Sequence, residues 1–192
     1  MGRLIRTFLV NDNPDGLKTL EISNMTIKAT VFPRPLLKDF LEREESRRPG
    51  VYMLYGNSID EYSKPILYIG EGDPVSERIK SHGINKEFWT NAFVFTSKDE
   101  YLTKTQIKYL ESKLIDIAKE VKRVNLDNIN ISSEPTISEV DKAEVQQFLE
   151  AIRLLVNVLN LSFFEPLSYN SELPKENEII YEYRVKSYLG KM

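Results

Sequence analysis

Gly50-Val51-Tyr52-Met53-Leu54-Tyr55 and Pro65-Ile66-Leu67-Tyr68-Ile69-Gly70 are two apolar runs on either side of the polar spacer GNSIDEYSK (56–64). Two aromatic and β-branched runs around a spacer rich in turn-formers and charge predict a β-hairpin with a long loop. Each run sets a tyrosine close to a glycine. Asp73-Pro74 follows directly, an N-cap residue and then a proline suited to the first helical position. A helix from Pro74 to about His82 is therefore expected, with Val75, Ile79 and His82 at helical spacing. Arg78 and His82 are four residues apart and share a face of it.

Downstream, FWTNAFVFTS (88–97) is aromatic and β-branched, so it reads as a strand returning to the sheet. Trp89, the only tryptophan, is read as a packing residue rather than a base-stacking one. Thr103 and Gln106 have capping-box spacing and open a helix to about Val121. Its apolar face is Ile107, Leu110, Leu114, Ile117 or Ala118, and Val121. Glu111 sits on or beside that stripe, where a carboxylate is costly unless paired or bound to a cation. The plainer reading is a carboxylate at the stripe's edge that reaches water. Residues 126–137 read as a polar loop. A second capping pattern at Ser138 and Asp141 starts a long helix, with Val145, Phe148, Leu149, Ile152, Leu155, Val156 and Leu159 as its apolar stripe. Beyond Leu167 the chain is polar, then alternates Tyr181, Tyr183 and Val185 with Glu182, Arg184 and Lys186, readable as an amphipathic strand or the first piece of a further domain.

Upstream, residues 3–10 alternate as a strand, buried on both faces or at a sheet edge, and Asn11 to Gly16 is a dense turn signal. Leu17–Ile22 reads as the returning strand and 25–32 as a third. Pro33 and Pro35 break the chain before a short helix over Pro35–Glu44. The charged run EREESRR (42–48) reads as a solvated linker, with Lys28, Arg34, Arg47 and Arg48 as candidate phosphate contacts.

The hairpin and its helix resemble the GIY-YIG nucleases. Gly50-Val51-Tyr52 and Tyr68-Ile69-Gly70 correspond to the two name-giving tripeptides. Arg78 follows Tyr68 at the spacing of that family's arginine, and His82 stands where the family has histidine or tyrosine. Glu111 falls where the family places its single metal-binding glutamate. Asn125 falls near its asparagine, with Asn128 and Asn130 close by. The resemblance covers about residues 48–126. It implies a metal-dependent endonuclease hydrolysing DNA phosphodiester bonds, with Mg²⁺ (or Mn²⁺) at Glu111. Within that scheme Tyr52 is the general base on the attacking water, and Tyr68 positions the phosphate or the water network. Arg78 offers a planar fork to phosphate oxygens. His82 accepts a proton or holds the Tyr52 hydroxyl, and Asn125 is a polar support. A free phenol has a pKa of about 10, so Tyr52 needs positive charge nearby to act near neutral pH. One departure stands out: Glu71 follows Gly70 directly, where several family members carry lysine. Its carboxylate would raise a neighbouring tyrosine pKa, or add to the metal site.

Taken singly, each of these residues has an ordinary structural reading. A strand tyrosine usually packs, a lone histidine is usually solvated, and Arg78 with Glu77 and Lys80 is an ordinary helix face. Their ordered co-occurrence carries the functional expectation. The fold expected is α/β (α+β), a small, mostly antiparallel sheet flanked by helices. The boundaries are a β-rich N-terminal extension (1–46), a catalytic domain (47–130), a long packing helix (131–166) and a tail (167–192). Net charge is −3 over 192 residues, so a DNA-binding surface must be a local patch. The chain has no cysteine, which excludes disulfides, thiolate zinc sites and cysteine nucleophiles. No apolar run reaches membrane-span length and no signal-peptide core is present, so a cytoplasmic protein without a membrane partner is expected. The alternative function is a non-catalytic nucleic-acid-binding or interaction module on the same scaffold. Cutting two strands with one site per domain would favour a homodimer or sequential nicking.

Overall fold

The computed structural model describes residues 2–58, 64–99, 102–128 and 134–166. Among these residues seven strands form one mixed sheet: β1 (Ile5–Leu9), β2 (Lys18–Ile22), β3 (Ile27–Pro33), β4 (Gly50–Gly56), β5 (Ile66–Gly72), β6 (Asn91–Ser97) and β7 (Asn125–Leu126). Their spatial order is β1-β2-β3-β6-β4-β5-β7. All pairs are antiparallel except β5 with β7. The α-helices among the described residues are α1 (Leu37–Glu42), α2 (Val75–Asn85), α3 (Lys104–Val121) and α4 (Glu139–Val158). The fold is thus α+β. The N-terminal strands extend the hairpin's own sheet, because β3 pairs with β6 along its whole length. β1 is its outer edge, which explains why Leu4 and Phe8 are exposed despite the strand's apolar alternation.

Period-2 alternation sorts the strands into two cores. Val51, Met53, Leu67, Ile69, Phe93 and Phe95 face one side, where α3 and α4 lay down Ile107, Leu110, Leu114, Phe148, Ile152 and Leu155. Tyr52, Leu54, Ala92 and Val94 face the other, against Phe40 of α1, Val75 and Ile79 of α2, and Trp89. Full burial of a large apolar side chain contributes roughly 1.5–3 kcal/mol, so either cluster is ample to fix its helices on the sheet. Trp89 is a core residue, 1% exposed, with the Arg34 guanidinium over its ring.

The local signals act as their chemistry demands, with two corrections. The α3 capping box forms: Gln106 N donates to Thr103 Oγ1, and Thr103 N donates to Gln106 Oε1. Ser138 caps α4. The N-cap of α2, however, is Pro74 and not Asp73. Val75 N donates instead to the Arg48 carbonyl at 3.0 Å, so a neighbouring chain segment satisfies the helix terminus in place of a side chain. The second correction concerns 42–48. Residues Glu44–Arg47 form a 3-10 turn that buries Glu45 and Ser46. Glu45 accepts two hydrogen bonds from Arg43 and pairs with Lys28 of β3. Burial alone would raise its pKa, but the bonds from Arg43 and Lys28 outweigh this and hold it near 2. Arg48 donates to the Ser97 carbonyl and Arg34 to the Gly83 and Glu87 carbonyls. Lys28, Arg34 and Arg48 therefore hold the fold together. Most of the long hairpin loop, and the alternating stretch near Tyr181, lie outside the described residues.

Candidate active site

The β4–β5 register sets Tyr52 opposite Gly70 and Leu54 opposite Tyr68. Tyr52 and Tyr68 are thus diagonal neighbours on one face, with ring centroids 6.1 Å apart. Gly70 makes this geometry possible: a Cβ there would lie 2.5 Å from both the Tyr52 hydroxyl and its ring Cζ. The Tyr52 ring lies across the bare backbone of the opposite strand, fully buried, with its hydroxyl directed at α2. Gly72 has a similar role one step on, since a Cβ there would come within 2.9 Å of the Val75 backbone where α2 begins.

From α2, His82 meets this pair. Its Nδ1 is 2.6 Å from the Tyr52 hydroxyl, and its ring stands edge-on to Tyr68 with centroids 4.9 Å apart. Burial pushes the Tyr52 phenol far up from its ordinary value. Tyr68 and Glu111 push the same way, against the pull of Arg78. Burial lowers His82, with Lys86 and Arg78 adding to the effect and Asp127 opposing it. At neutral pH the phenol is therefore protonated and the imidazole neutral. The hydroxyl and Nδ1 therefore share a hydrogen bond between two neutral groups. Arg78, exposed on α2, acts electrostatically on Tyr52, Tyr68 and Glu111 alike.

Glu111 reaches the site from α3, around the edge of the sheet. β7 pairs with β5 only at Ile66 and Leu67, so the rest of β5 needs other partners. Asn128 accepts from Ile69 N at 3.0 Å and donates to Ile69 O at 2.7 Å, its amide imitating one step of a strand. The backbone of Glu71 hydrogen-bonds the Glu111 carboxylate. Burial, then the Glu71 carboxylate, raise Glu111 to about 7, against Arg78, that backbone bond and Lys108. Glu111 also raises Tyr68 and Tyr52, so its charge is felt across the tyrosine pair. Among the described residues no group of three or more histidine or acidic side chains is arranged around a metal position. A hard divalent cation that keeps most of its waters needs only one or two carboxylates. A part-buried carboxylate with a second one beside it fits that requirement.

The structure thus brings together Tyr52, Tyr68, Arg78, His82 and Glu111. Asn125 is not among them: it is exposed at the far end of β5, where its side chain donates to the Lys64 carbonyl. Asn128, the neighbour noted in the sequence, is the asparagine beside Ile69-Gly70, and Asn130 lies outside the described residues. Lys86 and Asp127 are part of the cluster and were not singled out by sequence, although Lys86 is one helical turn beyond His82. A cavity of about 350 Å³ between Met25, Ser97, Gln106 and Phe148 contains none of these residues. Comparison with protein-family models, with curated proteins and with solved structures gives no match to this chain. No helix among the described residues is long and apolar enough to cross a membrane.

Proposed function

We propose that this chain is a metal-dependent endonuclease of the GIY-YIG type that hydrolyses DNA phosphodiester bonds. The observation that supports this most is the Tyr52 hydroxyl held over Gly70 at 2.6 Å from His82 Nδ1. A phenol whose pKa is raised is a poor base by itself. Coupled to a neutral imidazole it becomes one: the attacking water gives its proton to the Tyr52 oxygen as the phenolic proton passes to Nδ1. Water oxygen then bonds to phosphorus, and the bond to the leaving sugar oxygen breaks. His82 is the resting place of the proton, which refines the expectation that nearby positive charge would ionise Tyr52. The exposed Arg78 fork suits the non-bridging phosphate oxygens, and Tyr68 borders the same space. A Mg²⁺ or Mn²⁺ ion held by Glu111, with Glu71 beside it, would supply charge against the phosphate and the leaving oxygen. Asn128, rather than Asn125, is the asparagine placed to support this edge.

Glu71 and the net negative charge favour a second reading, a non-catalytic nucleic-acid-binding or interaction module on this scaffold. Nicking of supercoiled plasmid with Mg²⁺, compared between wild type and Glu111→Ala, separates the two. Metal-dependent nicking that disappears in the variant supports the nuclease. Binding of DNA without nicking by either protein supports the module.

A further inference from the structure

Lys86 closes α2 from its C-cap, its backbone N–H donating to the His82 carbonyl at 2.9 Å. Its side chain folds back so that Nζ stands 4.1 Å from the centroid of the Tyr68 ring. The same ammonium is ion-paired with Asp127. Asp127 is itself fixed to the hairpin, because its N–H donates to the Leu67 carbonyl at 2.9 Å and the adjacent Asn128 bonds both polar groups of Ile69. Three elements therefore converge on one lysine: the end of α2, strand β5 and the segment after β7. The opposite edge of the arrangement is the Tyr68–His82 ring contact.

The chain carries a carboxylate directly after Gly70, and the cation on the Tyr68 ring comes from the end of α2. A cation on a ring face is attracted by the ring's quadrupole and is strongest when partly withdrawn from water. The Lys86 side chain is only 21% exposed. We propose that Lys86, clasped by Asp127, is a positioning residue that fixes the Tyr68 ring against His82. The proposal rests on the nuclease reading for its catalytic consequence, but the contact with Tyr68 and His82 does not depend on that reading.

The groups facing His82 are Lys86 and Arg78 from α2, Tyr52 from β4, Tyr68 from β5 and Asp127 beyond β7. Lys86 and Arg78 disfavour a charged imidazole and Asp127 favours it. The chain contains a single histidine, so imidazole NMR follows His82 without ambiguity. Wild type, Lys86→Met and Lys86→Arg are titrated by NMR and assayed for plasmid nicking across pH. In Lys86→Met the His82 midpoint moves up and the acid limb of the nicking profile moves up with it. Nicking falls on the order of tenfold through kcat, as expected for a displaced catalytic group. Lys86→Arg restores both, which general loss of folding would not do. An unmoved midpoint with wild-type nicking in Lys86→Met overturns the proposal. A shifted midpoint where wild type itself fails to nick leaves the clasp standing and removes the nuclease reading.

Discussion

The Tyr52 hydroxyl lies 2.6 Å from Nδ1 of His82, and the two residues come from different elements, β4 and α2, thirty positions apart in the chain. Burial suppresses the charged form of both partners, so the contact is a neutral donor–acceptor pair at neutral pH. Tyr52→Phe keeps the buried ring and deletes only the hydroxyl. It should cost about 0.5–1.5 kcal/mol of stability, the usual worth of one such hydrogen bond. Plasmid nicking should fall by about 10²-fold or more, the contribution of a positioned acid–base group. Urea unfolding and a nicking assay on the same preparation read both quantities. A variant that nicks as wild type would remove Tyr52 from the proton path.

Gly70→Ala tests the other side of that phenol. The added methyl would meet the Tyr52 hydroxyl and ring at 2.5 Å, so the ring must shift off the β5 backbone. Overpacking of this kind typically costs about 1–3 kcal/mol. Nicking should fall further than stability does, because the hydroxyl loses its distance to His82 while the sheet stays paired. In the double variant Tyr52→Phe with Gly70→Ala, the nicking losses should be far from additive.

The hairpin, its helix, the α3 capping box and the α4 stripe are all legible in the sequence because each is a local pattern. Tyr52 and Tyr68 follow from strand alternation once the register is known. The end of the Glu42–Arg48 run was not legible as a buried turn. Its burial depends on Lys28 arriving from β3, a partner no local window contains. Asp73 looked like a cap for the same reason: the actual partner of the Val75 N–H is the distant Arg48 carbonyl. The choice between Asn125 and Asn128 depends on which amide meets the open edge of β5, and spacing alone does not resolve it. Lys86 and Asp127 carry no motif; only the tertiary fold places one over Tyr68 and the other beside it.

Glu45 predicts an acid-sensitive joint. Its folded pKa, about 2, is below the ordinary 4.5, so its ion pairs contribute stability that is fully present above 4.5. That contribution is lost as pH falls toward 2, and amounts to about 2 kcal/mol after allowing for solvent screening. Glu45→Gln should therefore lower stability at pH 7 and leave it little changed near pH 2. Denaturant midpoints measured at both pH values check this. Equal losses at the two would mean that Glu45 acts by shape and not by charge.

Glu111 predicts the opposite pH dependence, and through it the metal. Its folded pKa of about 7 is above the ordinary 4.5. The native state therefore holds this proton more tightly than the unfolded chain does. Stability from the protonated form is present below 4.5 and is lost as pH rises through 7, by about 1–3 kcal/mol with screening included. Glu111→Gln should stabilise the metal-free protein by that amount at pH 8 and leave it unchanged near pH 4, while nicking disappears. A divalent cation that binds the ionised carboxylate relieves the same cost. Mg²⁺ at about tenfold over its Kd should add about 1.4 kcal/mol to wild type at pH 8. It should add little at pH 4, where a proton occupies the carboxylate, and nothing specific to Glu111→Gln at either pH. Thermal melts of both proteins with Mg²⁺ and with a chelator make the comparison. If Mg²⁺ stabilised Glu111→Gln as much as wild type at pH 8, the cation would have to bind elsewhere on the chain.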